Sequence, residues 1–157
     1  IEAKTATLFA AACQVGALMG SHKDHASALH AYGQNLGMAF QIVDDILDYS
    51  ANVRQLGKEV GDDFREGKLT LPVILAYPHC ENEEKVFFER TLIARHQTPD
   101  DLATAIKIVR KRNGLSKAYD LAATYGKKAR KSLEGLPDHP IKNLLVDLIA
   151  YSLEREF

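Results

Sequence analysis

Three observations on this 157-residue sequence predict an all-α fold. Apolar residues recur at helical spacing in one segment after another, and no stretch alternates apolar and polar residues as a half-buried strand would. The segments are parted by clusters of Gly and Pro, with no internal repeat or low-complexity tract between them. With 46% hydrophobic and 26% charged residues, the chain has the composition of one ordinary globular domain, long enough to bury a sizeable core. A net charge of −1, without a basic stripe interleaved with aromatics, argues against a nucleic-acid partner.

The first helix is expected from Ile1 to Met19, a run of Ala, Leu, Phe and Val without Pro. Its small residues (Ala6, Ala10, Ala11, Ala12, Gly16, Ala17, Gly20) suit close packing of a neighbouring helix, and Lys4 reads on spacing alone as a snorkelling lysine. The apolar run from Ala6 to Gly20 is too short and too rich in Ala and Gly for a membrane span. Ile1 opens in mid-helix, without Met or a capping signal, as a piece of a longer chain would. Gly20-Ser21-His22 breaks the helix, and the next runs from near Asp24 to about Tyr49. His22, His25 and His30 fall in a polar helix start and read as solvated residues rather than ligands.

A polar break over Ser50 to Gln55 leads into a structured loop, Leu56 to Pro72, punctuated by Gly57, Gly61 and Gly67. Thr70-Leu71-Pro72 then opens a short apolar helix to Tyr77, with Pro72 in the tolerated first turn. Glu81 to Arg95 reads as an amphipathic helix with Val86, Phe87, Leu92 and Ile93 inside. Thr98-Pro99-Asp100-Asp101 starts the next, which Arg110-Lys111-Arg112 closes with charge suited to its negative end. Gly114 breaks the chain before a helix from Leu115 to Leu133, whose Lys127, Lys128, Arg130 and Lys131 form a solvated face. After the turn from Pro137 to Pro140, Ile141 to about Arg155 forms the last helix, with Leu144, Leu145, Leu148 and Ile149 inside. Cys13 and Cys80 lack metal-ligand spacing and read as reduced thiols of a cytoplasmic protein.

Gly37 to Asp48 is where the chemistry concentrates. Gln41, Asp44 and Asp48 share one narrow helical face, Asp45 lies about 60° to one side, and the other faces are apolar. A helix apolar nearly all round is a buried one, so the polar stripe is expected to look into an internal cavity. Buried carboxylates need a partner or a metal. Asp44 and Asp48, one turn apart, suit a single hard cation such as Mg²⁺, which takes one or two carboxylates and completes its shell with water and phosphate oxygens. Lys58 and Lys68, each following a glycine in the next loop, are placed to neutralise those same phosphate oxygens.

Taken together, Lys4-Thr5, Phe40-Gln41, Asp44-Asp45-x-x-Asp48 and the Gly57-Lys58…Gly67-Lys68…Thr70-Leu71-Pro72 loop give a resemblance over essentially all 157 residues. The chain resembles the C-terminal half of a trans-isoprenyl diphosphate synthase (polyprenyl synthetase) of the isoprenoid-synthase helical-bundle fold, nearest in detail to the long-chain octaprenyl and decaprenyl synthases of quinone side-chain synthesis. The resemblance implies head-to-tail condensation of isopentenyl diphosphate with an allylic diphosphate, dependent on Mg²⁺. It implies that Asp44, Asp45 and Asp48 serve the metal and that Lys4, Lys58 and Lys68 hold the allylic diphosphate. Thr5 and Gln41 would present oxygens to the developing cation.

The same resemblance implies a homodimer in the full-length form, with no more than peripheral membrane contact through the product. The family's first aspartate-rich motif and its isopentenyl diphosphate site have no counterpart in these 157 residues, so the chain by itself is expected to be inactive. Two alternatives stand beside this reading. One is a non-catalytic subunit that docks on a complete synthase, although such a module has no need of the aspartates and lysines. The other is a terpene cyclase of the same fold, whose usual metal pattern Asp44-Asp45-Ile46-Leu47-Asp48 does not match.

Overall fold

The computed structural model describes residues 2–20, 23–50 and 60–155, and every regular element among them is helical. A wide π turn, Glu2–Ala6, leads into α1 (Thr7–Met19). A 3₁₀ turn, Lys23–His25, leads into α2 (Ala26–Leu47). There follow α3 (Asp62–Arg65), α4 (Leu71–Ala76) with a 3₁₀ turn at Tyr77–His79, and α5 (Asn82–Phe88), which widens into a π turn at Glu89–Ile93. The last three are α6 (Asp101–Lys111), α7 (Gly114–Ser132) and α8 (Pro140–Leu153). No helix among the described residues is long and apolar enough to cross a membrane.

The chain divides into two compact units, Ile1–Val43 with Asp120–Arg155, and Asp44–Tyr119. In the first, only some of the small residues expected to receive a neighbouring helix are buried, Ala6, Ala10 and Ala17, whereas Ala11, Ala12, Gly16 and Gly20 are exposed. A Cβ on Gly37 would lie 2.7 Å from the Ala6 Cα. The unit's core gathers Tyr32, Leu36, Ala129, Leu133 and Ile149. The Tyr32 hydroxyl donates to the Leu145 carbonyl at 2.9 Å, joining α2 to α8 within that core. Phe9 and Phe40 pack with their rings tilted against each other, and the Arg155 guanidinium lies over the Phe40 ring, 4.1 Å from its centroid.

The core of the second unit joins Tyr49, Phe64, Val73, Ala76, Phe88, Leu92, Ala105 and Val109. A capping box between Glu81 and Glu84 starts α5, and Glu84 also accepts from Arg112 at the end of α6. Cys13 and Cys80 are both free thiols.

Three further expectations are corrected. The loop from Leu56 to Pro72 contains a helix, α3, where glycines alone suggested none. In the α5 segment the buried residues are Phe88, Thr91 and Leu92, whereas Val86 and Ile93 are 62% and 66% exposed. The π turn adds a residue to the winding there, and so shifts the inward face away from the one that uniform α spacing selects. In α8, Leu144 and Leu148 face outward with Ile141 and Tyr151, and Leu145 and Ile149 face the core. With apolar residues on both sides of that helix, periodicity alone does not choose between them.

Candidate functional site

Helix α2 is buried as its composition requires, with Leu36, Ala39, Ile42, Val43 and Ile46 all in the interior. Its last α-helical residue is Leu47, so Asp48 and Tyr49 belong to a tightened final turn rather than to the helix. There the Tyr49 N–H bonds to the Ile46 carbonyl and the Ser50 N–H to that of Leu47, both at 3.0 Å. Gln41 and Asp44 are half-buried, and Asp45 is 5% exposed.

In the first unit, the Thr5 hydroxyl donates to Gln41 Oε1 at 2.6 Å. The sequence had marked both residues, and the structure brings them together. Lys4 contributes its backbone to the opening π turn. Its side chain lies outside the described residues, as does all of Lys58.

In the second unit the three aspartates have different surroundings. Asp48 Oδ1 accepts the backbone N–H groups of Gly61 and Asp62 at 3.2 and 3.1 Å, and Oδ2 accepts that of Asp63 at 3.1 Å. Those are donors at the start of α3, a position where a helix leaves its N–H groups without intrahelical partners. Gly61, held at φ +89°, offers no side-chain cap, so Asp48 supplies one from thirteen residues away. Burial pushes the Asp48 carboxyl up to about 6, the nearby charge of Asp63 adds to the rise, and the three N–H donors oppose it. Asp45 accepts the Leu71 N–H at 3.4 Å.

At the other end of α3 the Gly67 N–H bonds to the Phe64 carbonyl at 2.9 Å and the Lys68 N–H to that of Asp63 at 2.8 Å. With Gly67 at φ +69° this is a Schellman ending, which accounts for a glycine directly before Lys68. Lys68 Nζ lies 2.7 Å from Asp63 and 2.6 Å from Glu66, and these bonds raise its pKa. Lys68 and the aspartate turn are therefore joined through four residues of helix.

Two hydroxyls lie near the carboxylates, that of Tyr49, which the sequence did not single out, and that of Thr70 in the Thr70-Leu71-Pro72 stretch. Tyr49 Oη and Thr70 Oγ1 are buried without a hydrogen-bond partner. Burial raises the Tyr49 pKa, with Thr70 the polar group beside it and Asp48, Asp63 and Asp45 adding negative charge.

Among the described residues, no three His, Cys, Asp or Glu side chains converge as a ready metal-ligand set. Carboxylate oxygens suit a hard divalent cation, and one that uses one or two protein carboxylates needs no third.

The polyprenyl synthetase family model matches residues 1–109. An octaprenyl diphosphate synthase of Haemophilus influenzae is 38% identical over the whole of this chain and 48% of its own length. A crystal structure of a decaprenyl diphosphate synthase from Rhodobacter capsulatus aligns with 99% of this chain and 47% of its own, at 42% identity and a TM-score of 0.86. A polyprenyl synthase from Caulobacter crescentus, crystallised with calcium and isoprenyl diphosphate, aligns with 99% of this chain and 48% of its own, at 42% identity and a TM-score of 0.93. The chain thus spans about half the length of these relatives.

Proposed function

This chain belongs to the polyprenyl synthetase family, and on that premise we propose that it takes part in the Mg²⁺-dependent, head-to-tail condensation of isopentenyl diphosphate with an allylic diphosphate, giving a long-chain all-trans polyprenyl diphosphate. The observation that carries this reading is the tie between Asp48 and α3. It makes one rigid piece of a carboxylate turn and a lysine-bearing loop, which a site for a metal diphosphate requires.

In this reading Asp44 would be the direct ligand for the divalent cation, and Asp45 and Asp48 would act directly or through bound water. A bound divalent cation supplies charge neutralisation to the departing diphosphate. Lys68, with Lys4 and Lys58, holds the allylic diphosphate. Lys68 leaves or shares its pairs with Asp63 and Glu66 to do so, and its side chain is exposed at the surface. Thr5 and Gln41, already bonded to each other, turn oxygen lone pairs toward the allylic cation as the C–O bond breaks. The double bond of isopentenyl diphosphate attacks that cation through its terminal carbon, the positive charge passes to its tertiary carbon, and the CH₂ next to that carbon gives up a proton to the released diphosphate as the new double bond forms.

The chain acts, we propose, as the C-terminal half of one polyprenyl synthetase domain, with the first aspartate-rich motif supplied by the other half. The functional form is a cytoplasmic homodimer. The roughly half-length match to its relatives supports the first statement.

The test is calorimetric binding of a short allylic diphosphate with Mg²⁺ and with chelator. Wild type should bind in Mg²⁺ alone, and Asp44→Ala should lose at least about tenfold in affinity. Equal binding in chelator, or wild-type affinity in Asp44→Ala, would sink the reading.

A further inference from the structure

We propose that Gln97 is a positioning residue for the lysine-bearing loop, holding α3 at the end opposite Asp48; the functional part of this inference rests on the proposed diphosphate role of Lys68. Gln97 follows the π turn after α5, in a segment with no sequence motif. Its Nε2 donates to the Phe64 carbonyl at 2.7 Å and to the Thr91 carbonyl at 3.0 Å. The first carbonyl belongs to the last turn of α3 and the second to a fully buried residue of the core. One amide therefore fastens a four-residue helix, too short to persist alone, to the packed interior of its unit.

The segment that presents Gln97 is itself tied down. Arg90 makes a two-pronged pair with Asp101, at 2.9 and 2.8 Å, and also donates to the His96 carbonyl at 2.7 Å. Asp101 in turn accepts the Thr98 N–H at 2.7 Å. Residues on both sides of Gln97 are thus bonded to one charged pair. Arg95 sits in the left-handed region at φ +56°, uncommon for a residue with a side chain, and its side chain lies against Gly67. At the other end Leu102 packs on Gly61. Helix α3 is held at its N–H end by Asp48 and Leu102, and at its carbonyl end by Gln97 and Arg95, one residue before Lys68.

Surface turns seldom need this much fastening. A loop that carries a lysine to a diphosphate does, because a charged group placed loosely loses affinity each time the loop must be ordered on binding.

The experiment compares wild type with Gln97→Met, which keeps length and removes the donor, and with Gln97→Glu, which cannot donate when ionised. Two readouts are taken on each: amide hydrogen exchange, and calorimetric binding of inorganic pyrophosphate with Mg²⁺. Loss of the clamp should speed exchange at the amides of Asp62, Asp63 and Lys68 about tenfold, with α6 unchanged. Pyrophosphate affinity should fall about three- to tenfold. Unchanged exchange at those amides overturns the clamp. Faster exchange with wild-type affinity overturns its role in binding. A wild type that binds no pyrophosphate counts against the proposed function, and the exchange data still decide whether Gln97 holds α3. Should Gln97→Met fail to fold, Gln97→Glu is compared above and below its own titration, since protonation restores the donor and should restore protection.

Discussion

Asp48 and Asp63 are bonded and opposed at once: the Asp63 backbone N–H donates to Asp48 Oδ2 at 3.1 Å, and the Asp63 carboxylate helps to push the Asp48 carboxyl up to about 6. Between the ordinary value of 3.8 and about 6, the folded protein therefore keeps a proton that the unfolded chain releases. That contribution to stability is complete below the lower value and is lost as pH rises through the upper one. In metal-free buffer the thermal midpoint should rise as pH is lowered from about 6 to 4, and Asp48→Asn should flatten this segment. Asp101 has the opposite sign: its bonds to Arg90 hold it near 2, so its contribution lasts down to the ordinary carboxylate range and is lost only below it. A thermal midpoint that rises with pH over the upper window, or a slope unchanged in Asp48→Asn, would contradict the assignment.

Two buried tyrosines should respond differently to loss of the hydroxyl. Tyr32→Phe removes the bond to the Leu145 carbonyl and should cost about 1 kcal/mol. Tyr49→Phe removes a hydroxyl that has no partner and should be neutral or stabilising. Denaturant unfolding of the two variants gives the comparison directly. A larger loss for Tyr49→Phe would mean that its hydroxyl is satisfied in solution.

The two left-handed glycines that frame α3 are not equivalent. An added Cβ at Gly61 would run into the Leu102 methyl groups inside the core, whereas at Gly67 it would meet the flexible Arg95 side chain at 3.3 Å. Gly61→Ala should cost about 1–3 kcal/mol, and Gly67→Ala about 1 kcal/mol. The same unfolding measurement ranks them, and a reversed order would contradict the packing described.

Helix α3 also marks where the sequence stops being legible. The long helices could be read because each carries its own apolar period and its own breakers, as α2 and α7 do. A four-residue helix has neither, and this one exists through Asp48, Gln97 and Phe64, contacts made from distant parts of the chain. The α5 segment was misread because a π turn changes the period, and α8 because apolar residues line both of its sides. In the site, the acidic residues announced themselves by sitting in an apolar helix. Nothing local distinguishes Asp48, which caps, from Asp44, which does not sit in that cap. Gln97, one polar residue in a polar turn, carried no signal at all.

The proposed division of labour between two halves predicts that the 157-residue chain alone, given an allylic diphosphate, isopentenyl diphosphate and Mg²⁺, elongates nothing. Chromatography of the products checks this, and any polyprenyl product from the purified chain would refute the need for a second aspartate-rich motif.

The most direct test of the central claim replaces Mg²⁺ by Mn²⁺ and follows the free ion by its electron paramagnetic resonance signal in the presence of pyrophosphate. Wild type should remove more Mn²⁺ from solution than pyrophosphate alone does, and Asp44→Ala should remove no more than pyrophosphate alone. If Asp44→Ala removes as much Mn²⁺ as wild type, the carboxylate turn of α2 is not where this protein holds its metal.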